Sequence, residues 1–277
     1  MSTKAWDFLV TAQQEEDSVW ELFHENSKIT SQDQLMTAGM ASAYMAQMPE
    51  SLMFDGYPEV ALPTAAALPP LSLHDAIVRA TVTEALEPCA LPLDAAAALL
   101  RFAYGVAEPT RDPESVRPRR TVHSAGSLFP LELFVHSARV AGLAPGLYHY
   151  HPPGNLLRLL RKGDQSQKLA AGFLDARCVQ AAAMTIFIAA VPERSVIRYG
   201  ERGYRFVLLE AGAVVQNLNL AAAALGLHCA NAGEFFDSEI DDVLDLDGLT
   251  ISTVYAVGIG TASGDAENLA RNGRAPI

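Results

Sequence analysis

The stretch that decides the fold is Arg198-Tyr-Gly-Glu-Arg-Gly-Tyr-Arg-Phe-Val-Leu-Leu-Glu-Ala-Gly-Ala-Val-Val-Gln-Asn-Leu-Asn-Leu-Ala-Ala-Ala-Ala-Leu-Gly-Leu227. It begins with a polar turn and continues, from Tyr204 to Leu225, as a predicted helix that is apolar on nearly every face. Such a helix is buried in a large core or at a subunit interface. Its polar exceptions are Glu210, Gln216, Asn217 and Asn219. Because buried polar groups need partners, we expect a polar cofactor or a second subunit to supply them.

The composition argues against several classes of protein. The 277 residues carry a formal charge of -12, which argues against binding to nucleic acid or to anionic membrane surfaces. The polar residues of the long helix argue against a membrane span, which needs about 20 consecutive, mainly apolar residues. Cys89, Cys178 and Cys229 have no metal-type spacing and predict no disulfide framework. No signal segment is evident, so a cytoplasmic location is expected.

Apolar segments around the long helix predict an α+β fold with one mixed central sheet surrounded by helices. Strands are expected at 131–138, 146–150, 156–160, 184–191, 227–230 and 252–259. Helices are expected within 1–48 and at 73–86, 95–104, 164–183 and 237–244. Five prolines within 49–71 predict an extended arm. We therefore divide the chain into an N-terminal helical region with a proline-rich arm, 1–71, and a main domain, 72–277.

Two local sequence patterns resemble ligand-binding motifs but do not meet the requirements of those motifs. The segment Gly258-Ile-Gly260 follows a predicted strand, but the 13 residues after Gly264 are too few to complete a dinucleotide-binding unit, which takes roughly 30 residues. His149 and His151 would point to one side of a strand, but no third ligand accompanies them, so no metal site is predicted.

Four segments, in order, resemble the SagB-type branch of the nitroreductase-like flavoproteins. They are Phe23-His-Glu-Asn-Ser-Lys28, Arg119-Arg-Thr-Val-His-Ser-Ala-Gly-Ser-Leu-Phe-Pro-Leu-Glu-Leu133, Gly146-Leu-Tyr-His-Tyr150 and Arg198-Tyr-Gly-Glu-Arg-Gly-Tyr-Arg-Phe206, the last followed by Glu210-Ala-Gly212 and Gln216-Asn217. Each segment alone is weak. Their order and spacing over residues 19–262 carry the resemblance.

The resemblance implies a nitroreductase-like fold, FMN as cofactor, and a homodimer in which the long helix forms the subunit interface. It implies oxidation of thiazoline and oxazoline rings to thiazoles and oxazoles in ribosomally made peptides, with a partner enzyme such as a cyclodehydratase. One alternative is an NAD(P)H-dependent reductase of dehydroamino acids, enones or nitro groups. Another is a flavin-free scaffold or peptide-binding subunit.

In the azoline oxidases of this branch, a Lys-Tyr pair at the head of the long helix is catalytic, and here it is Arg198-Tyr199. A buried lysine can lose its proton and act as a base, whereas an arginine cannot. Arg198 can still favour a Tyr199 phenolate electrostatically. The resemblance therefore implies catalytic roles for Tyr199, as the base of the pair, and for Arg198. An ordinary ion pair between Arg198 and Glu201 is the alternative.

The resemblance also implies a set of cofactor-binding residues. They are Arg79, Thr81, Arg119, Arg120, Ser124, Ala125, Gly126, Ser127, Arg205, Gln216, Asn217, Gly233 and Glu234. Two departures concern the phosphate, because Thr83 and Thr261 stand where the family pattern has arginines. Losing both would weaken FMN binding by about 2–5 kcal/mol unless Arg119, Arg120 or Arg205 compensates.

Overall fold

The computed structural model describes residues 18–33, 35–64, 66–80, 83, 85–108 and 117–262. Their strands are β1 (Glu59–Ala61), β2 (Leu91–Pro92), β3 (Val106–Glu108), β4 (Arg119–Arg120), β5 (Leu131–Ser137), β6 (Val140–Ala141), β7 (Gly146–His151), β8 (Leu156–Lys162), β9 (Met184–Ala190), β10 (His228–Ala232) and β11 (Ser252–Gly260). Seven of them form the central sheet, in the order β1-β8-β7-β5-β9-β11-β10. Every neighbouring pair in this sheet is antiparallel, whereas the sequence predicts a mixed sheet.

The helices cover both faces of this sheet. They are α1 (Val19–Asn26), α2 (Ala38–Met45), α3 (Leu73–Arg79), α4 (Leu93–Tyr104), α5 (Ser166–Ala171), α6 (Arg177–Gln180), α7 (Glu193–Tyr199), α8 (Arg202–Leu225) and α9 (Asp237–Leu244). The two core clusters follow the alternation of strand side chains. On β9, Ile186 and Ile188 pack with α4 and α8 on one face, and Phe187 packs on the other face with α5, α6 and α9.

The long helix predicted from the sequence is α8, which runs from Arg202 to Leu225 and ends at Gly226 in the left-handed conformation. It packs against α4, α7 and α3. By length and composition it is also long and apolar enough to cross a membrane, but half of its most apolar window is buried inside the protein. Its remaining apolar face is open, since Leu208 is 43% and Leu209 71% exposed.

Two predicted helices differ from the structure. Ser72 caps α3 by accepting from the Asp75 amide, as expected, but the helix ends at Arg79 rather than continuing to residue 86. The helix predicted over 164–183 is divided into α5 and α6 around Gly172. There the Gly172 carbonyl accepts from the Phe236 amide, and a Cβ at Gly172 would lie 2.6 Å from Ile240. Contacts with the start of α9 therefore override the local helical pattern.

The proline-rich arm is packed rather than free. Its strand β1 pairs with β8 at the edge of the sheet, and Leu62 is buried in the core between the sheet and α4. The division of the chain at residue 71 stays a prediction, and the arm contributes directly to the sheet of the main domain.

Candidate functional site

The segment Ser124–Phe129 forms a tight turn that leads into β5. Gly126, Ser127 and Phe129 have φ angles of 64°, 55° and 47°, in the left-handed region that side chains disfavour. Internal hydrogen bonds hold this conformation: the Ser127 amide donates to the Ser124 carbonyl, and the Phe129 amide donates to Ser124 Oγ at 2.9 Å. Buried Arg117 adds a third bond, from Nη1 to the Leu128 carbonyl. The turn is therefore fixed in an unfavourable conformation by its surroundings.

The end of α7 lies directly against this turn. A Cβ on Gly126 would lie 2.5 Å from Arg198 Nη1 and 2.8 Å from the Tyr199 hydroxyl, so a larger residue here would displace these two side chains. Both side chains are half-buried. The Arg198 guanidinium lies 5.1 Å from the centre of the Tyr199 ring, and in the described residues it forms no ion pair with Glu201. The 119–133 motif and the 198–206 motif therefore contact each other at Gly126.

A buried carboxylate, Glu132 of β5, anchors α7. Arg194, one turn before Arg198, approaches Glu132 Oε1 at 2.7 Å and also donates to the Phe129 carbonyl. His149 and Ser51 meet Oε2 at 2.8 Å each. Burial favours the neutral acid, but Arg194, His149 and Ser51 overcome it and lower the pKa of Glu132 to about 2. The ionised carboxylate therefore ties the helix that ends in Arg198 and Tyr199 to the turn and to the arm.

A second buried carboxyl, Glu210 of α8, lies beneath the turn. The Tyr104 hydroxyl donates to Glu210 Oε1 at 2.8 Å, and the Ser124 side chain also hydrogen-bonds the carboxyl group. Burial raises the pKa of Glu210 to about 7, against the opposite effects of Ser124, Tyr104 and Arg120. The sequence predicted that a cofactor or a second subunit would satisfy this group, and the chain itself does so.

The N-terminal motif docks on the head of α8. Arg202 Nε donates to the Ser27 carbonyl and Arg205 Nε to Ser27 Oγ, both at 2.7 Å. Arg205 also donates to the His24 carbonyl. Between this motif and α7 lies a cavity of about 360 Å³, whose lining includes Lys28, Asp33, Arg198, Tyr199 and Arg202. Tyr199 therefore lines a cavity large enough for a small molecule or a side chain.

Two further cavities border predicted cofactor residues. One, of about 540 Å³, lies between the arm, α3 and α8, and Asn217 and Thr121 supply polar lining. Asn217 donates to the Thr121 carbonyl at 3.2 Å, while the buried Thr121 hydroxyl has no partner among the described residues. The other, of about 330 Å³, is lined by Thr83, Asn231, Gly233 and Glu234 among others. Within the described part of the chain, the buried Asn231 Oδ1 has no partner. Unpartnered polar atoms beside open space are typical of sites completed by a ligand or water.

The arginines predicted to compensate at the phosphate differ in their freedom. Arg120 is buried, donates to the Glu50 carbonyl and stacks on Tyr104 and Phe129. Arg205 is bound to Ser27 and His24. Arg119 of β4 is exposed, and the described residues show no ion pair for it. Arg79 ends α3 and is exposed. Two other predicted cofactor-binding residues are not arginines. Gln216 is exposed on α8, and Thr81 lies outside the described residues.

The two threonines at expected arginine positions are engaged with the backbone. Thr83 Oγ1 donates to the Ala85 carbonyl at 2.8 Å. Thr261 is fully buried and pairs with Glu87 through the backbone. Since Thr261 has no exposed surface, it cannot contact a phosphate in this conformation.

Comparison with known proteins identifies the family. The Nitroreductase family model matches residues 154–261. A protein of Methanocaldococcus jannaschii named as a nitroreductase, MJ1384, is 32% identical over 176 residues, which cover 64% of this chain and 85% of that protein. The chain belongs to the nitroreductase family. The family prediction and the nitroreductase-like α+β fold class are confirmed.

Two further relatives of this nitroreductase-family chain are named as processing proteins. The Microcin B17-processing protein McbC of Escherichia coli is 28% identical over 56% of this chain and 58% of its own length. The Trifolitoxin-processing protein TfxB of Rhizobium leguminosarum bv. trifolii is 29% identical over 50% of this chain and 38% of its own length. They agree with the predicted SagB-type branch, although the chain matches less than two thirds of either protein.

Solved structures agree on the fold. A nitroreductase structure from Anabaena variabilis superposes with a TM-score of 0.66 at 23% identity, over 87% of this chain and 46% of that one. A chain of the E. coli microcin synthetase McbBCD complex gives 0.56 at 22% identity, over 87% of this chain and 86% of that one.

The residues that position this nitroreductase-family site are not evident from the sequence patterns. Glu132 and His149 lie inside two of the quoted motifs, but the sequence assigned them no role. Arg194 and Tyr104 lie outside the motifs. A signal was available for Glu132, because a charged residue in the middle of an apolar strand must find a buried partner.

Proposed function

We propose that this chain is an FMN-dependent oxidoreductase that oxidises thiazoline and oxazoline rings in ribosomally made peptides to thiazoles and oxazoles. The observation that carries the proposal is the contact of Tyr199 and Arg198 with Gly126 beside a cavity of about 360 Å³. The kinship with McbC and TfxB, both named as processing proteins, supports a peptide substrate.

In this proposal Tyr199 is the base that removes a proton from the azoline ring carbon. Tyr199 lines the cavity of about 360 Å³, and the Arg198 guanidinium lies 5.1 Å from the centre of its ring. Arg198 itself keeps its charge, because a guanidinium does not lose its proton in proteins. FMN, when bound, supplies the hydride acceptor.

The residues around the site fit a flavin ring. The turn at Ser124–Ser127 carries only small side chains, and Gly233 and Glu234 are exposed and line the cavity of about 330 Å³. Unpartnered Thr121 Oγ1 and Asn231 Oδ1 can each bond a polar ligand.

The phosphate is assigned to Arg79 and Arg119. Both are exposed, and the cavity of about 540 Å³ is lined by Ala76 of α3 and by Thr121, two residues after Arg119. Arg120 and Arg205 have other partners, so Arg119 is the compensating cation in this proposal.

The homodimer is part of the same proposal. Leu208 and Leu209 of α8 and Ile77 and Val78 of α3 form exposed apolar surface on two helices that pack together. A second copy is the partner that the family resemblance implies for this surface. A cyclodehydratase-type enzyme is proposed as the further biosynthetic partner.

A reductase of dehydroamino acids, enones or nitro groups is the second candidate, favoured by Arg198 itself. Since arginine cannot accept the proton that a lysine could, Tyr199 with its proton would serve as the donor of a reduction.

The proposal is tested by measuring FMN binding and azoline oxidation in the same protein. The purified full chain is expected to show flavin absorbance and to release FMN on denaturation. With an azoline-containing peptide it should remove two hydrogens per ring, detected by mass spectrometry. Tyr199→Phe should lower the rate by about 10²–10⁴-fold with FMN still bound, as for loss of a general base.

Tyr204→Phe is the matched control, because it loses a hydroxyl from the same region without touching Gly126. A colourless protein that does not bind added FMN contradicts the proposal and favours the flavin-free alternative. Turnover of an activated alkene or a nitro compound with NAD(P)H, but not of azolines, identifies the reductase.

A further inference from the structure

Glu210 is a carboxyl group buried without a matching cation. Its side chain is on the long helix α8 and is 4% exposed as a residue, and no ion pair to it occurs in the described parts of the chain. Its hydrogen-bond partners are the hydroxyl groups of Tyr104, from α4, and Ser124, from the turn. An isolated carboxylate is costly to bury, so the neutral form is the one this environment favours.

The same two hydroxyl groups bond the strained turn and the first residue of β5, the strand that follows it. Ser124 Oγ accepts from the Phe129 amide at 2.9 Å, and the Tyr104 hydroxyl accepts from the Leu131 amide at 3.3 Å. The two hydroxyl groups that contact Glu210 therefore also bond the turn, at Phe129, and the start of β5, at Leu131. Because the left-handed residues of the turn are unfavourable by themselves, these bonds help to keep it closed.

The charged group nearest to this cluster is Arg120, which faces it from β4. Its guanidinium lies 4.4 Å from the centre of the Tyr104 ring and 4.5 Å from that of Phe129, and its Nη2 donates to the Glu50 carbonyl. Arg120 thus stacks on the rings above Glu210 instead of forming a salt bridge with it. Burial outweighs Arg120, and the pKa of Glu210 is raised to about 7.

We propose that Glu210 is a positioning residue that binds its proton more tightly while the Ser124–Phe129 turn is closed against Arg198 and Tyr199 than when the turn is open. Opening hydrates the carboxyl group and returns it to ordinary acidity, so the open form binds the proton more weakly than the closed form. By linkage, acidic conditions favour the closed turn and rising pH favours opening. The inference rests on the proposed function in one respect, the importance of Tyr199 for chemistry.

The test is hydrogen exchange of the turn as a function of pH, followed by mass spectrometry on the full chain. After division by the intrinsic exchange rate, opening of the peptide that covers 124–131 should increase roughly tenfold per pH unit between about pH 5 and pH 7 and level off above it. A peptide from the buried strand β9, 184–190, is the reference for global unfolding, and the turn should open more often than this peptide at every pH. Equal opening of the two peptides, or no pH step in the turn, overturns the proposal in the unmodified protein.

The variant Glu210→Gln sharpens the result. It keeps the shape of the side chain but carries no titrating proton, so the pH step in the turn should disappear. Glu239→Gln, an exposed acid of α9, is the matched control and should retain the step. A Glu210→Gln protein that keeps the full step contradicts the proposal.

A separate measurement distinguishes this inference from the proposed function. FMN binding is titrated at pH 5.5 and pH 8 in the same proteins. Failure to bind FMN at either pH counts against the flavin enzyme and leaves the exchange result intact. FMN binding with no exchange step counts against Glu210 alone.

Discussion

Glu132 and Glu210 are both buried, both belong to sequence motifs of the family resemblance, and both support the turn that meets Tyr199. Glu132 has Arg194 at 2.7 Å, with His149, Ser51 and the Leu52 amide around its two oxygens. Glu210 has two neutral hydroxyl groups and no salt-bridge partner among the described residues. Burial is nearly the same at the two positions, so the difference between them is the cation.

The consequence is that Glu132 is ionised at neutral pH, whereas Glu210 is near the midpoint of its titration. Burial would raise the pKa of each acid, but the Arg194 guanidinium reverses the effect at Glu132, with a pKa of about 2, while Glu210 reaches about 7. Glu132 is therefore a permanent charge that anchors α7 and the arm. Glu210 changes charge within the physiological range. One acid makes the site rigid, and the other makes it responsive to pH.

The largest expected effect comes from Glu132→Gln. It leaves the Arg194 charge buried without a counterion, and we expect the free energy of unfolding to fall by about 3–5 kcal/mol at pH 7. Urea denaturation followed by circular dichroism measures the change. Glu239→Gln on the exposed face of α9 should change it by less than about 0.5 kcal/mol. A loss of under about 1 kcal/mol in Glu132→Gln would show that the ion pair with Arg194 contributes little.

The second largest effect is expected from Glu210→Gln, which should change how the free energy of unfolding depends on pH. The folded pKa of Glu210 is raised above its usual value, so its contribution to stability is fully present at low pH and is lost as pH rises to about 7. Glutamine has no such loss. The variant should be more stable than the parent by roughly 3 kcal/mol at pH 8 and similar to it at pH 5. Urea unfolding of both proteins at pH 5 and pH 8 measures this difference in stability. If the difference is the same at both pH values, the raised pKa of Glu210 in the folded state is contradicted.

Of the three substitutions, Tyr104→Phe should lower the free energy of unfolding the least. It removes the hydroxyl that donates to Glu210 and accepts from the Leu131 amide, at a cost of about 1 kcal/mol at pH 5. At pH 8, where the lost partner is a carboxylate, the cost should rise to about 1.5–3 kcal/mol. Thermal or urea unfolding at the two pH values tests this. An equal cost at both would mean that Tyr104 does not sense the charge of Glu210.

Much of the fold could be predicted from local patterns. The helix predicted at 237–244 matches α9, and the apolar run 184–191 is the central strand β9 within one residue. The predictions were wrong where distant contacts decide the structure. Helix 73–86 ends at Arg79, and Gly172 ends α5 because its carbonyl bonds to Phe236.

The candidate site also depends on contacts between residues that are distant in the sequence. No spacing rule brings Gly126 to Tyr199, and the family resemblance was the route to both motifs. The partners of Glu210 were expected from outside the chain, yet Tyr104 is 106 positions earlier in the same chain. Sequence patterns report which polar groups are buried, but only the tertiary fold determines which group satisfies them. The roles of Tyr199 and of the cofactor-binding residues stay predictions.

The short strand β1 also decides where the central sheet stops. It extends over three residues, between Pro58 and Pro63, and pairs with β8 through Glu59, Val60 and Ala61. Prolines lack the amide hydrogen that another strand would need, and short edge strands offer little template for pairing. The arm therefore protects the longer strand β8 from pairing with other chains. A truncation that begins after β1 would expose the β8 edge and favour aggregation of the sheet.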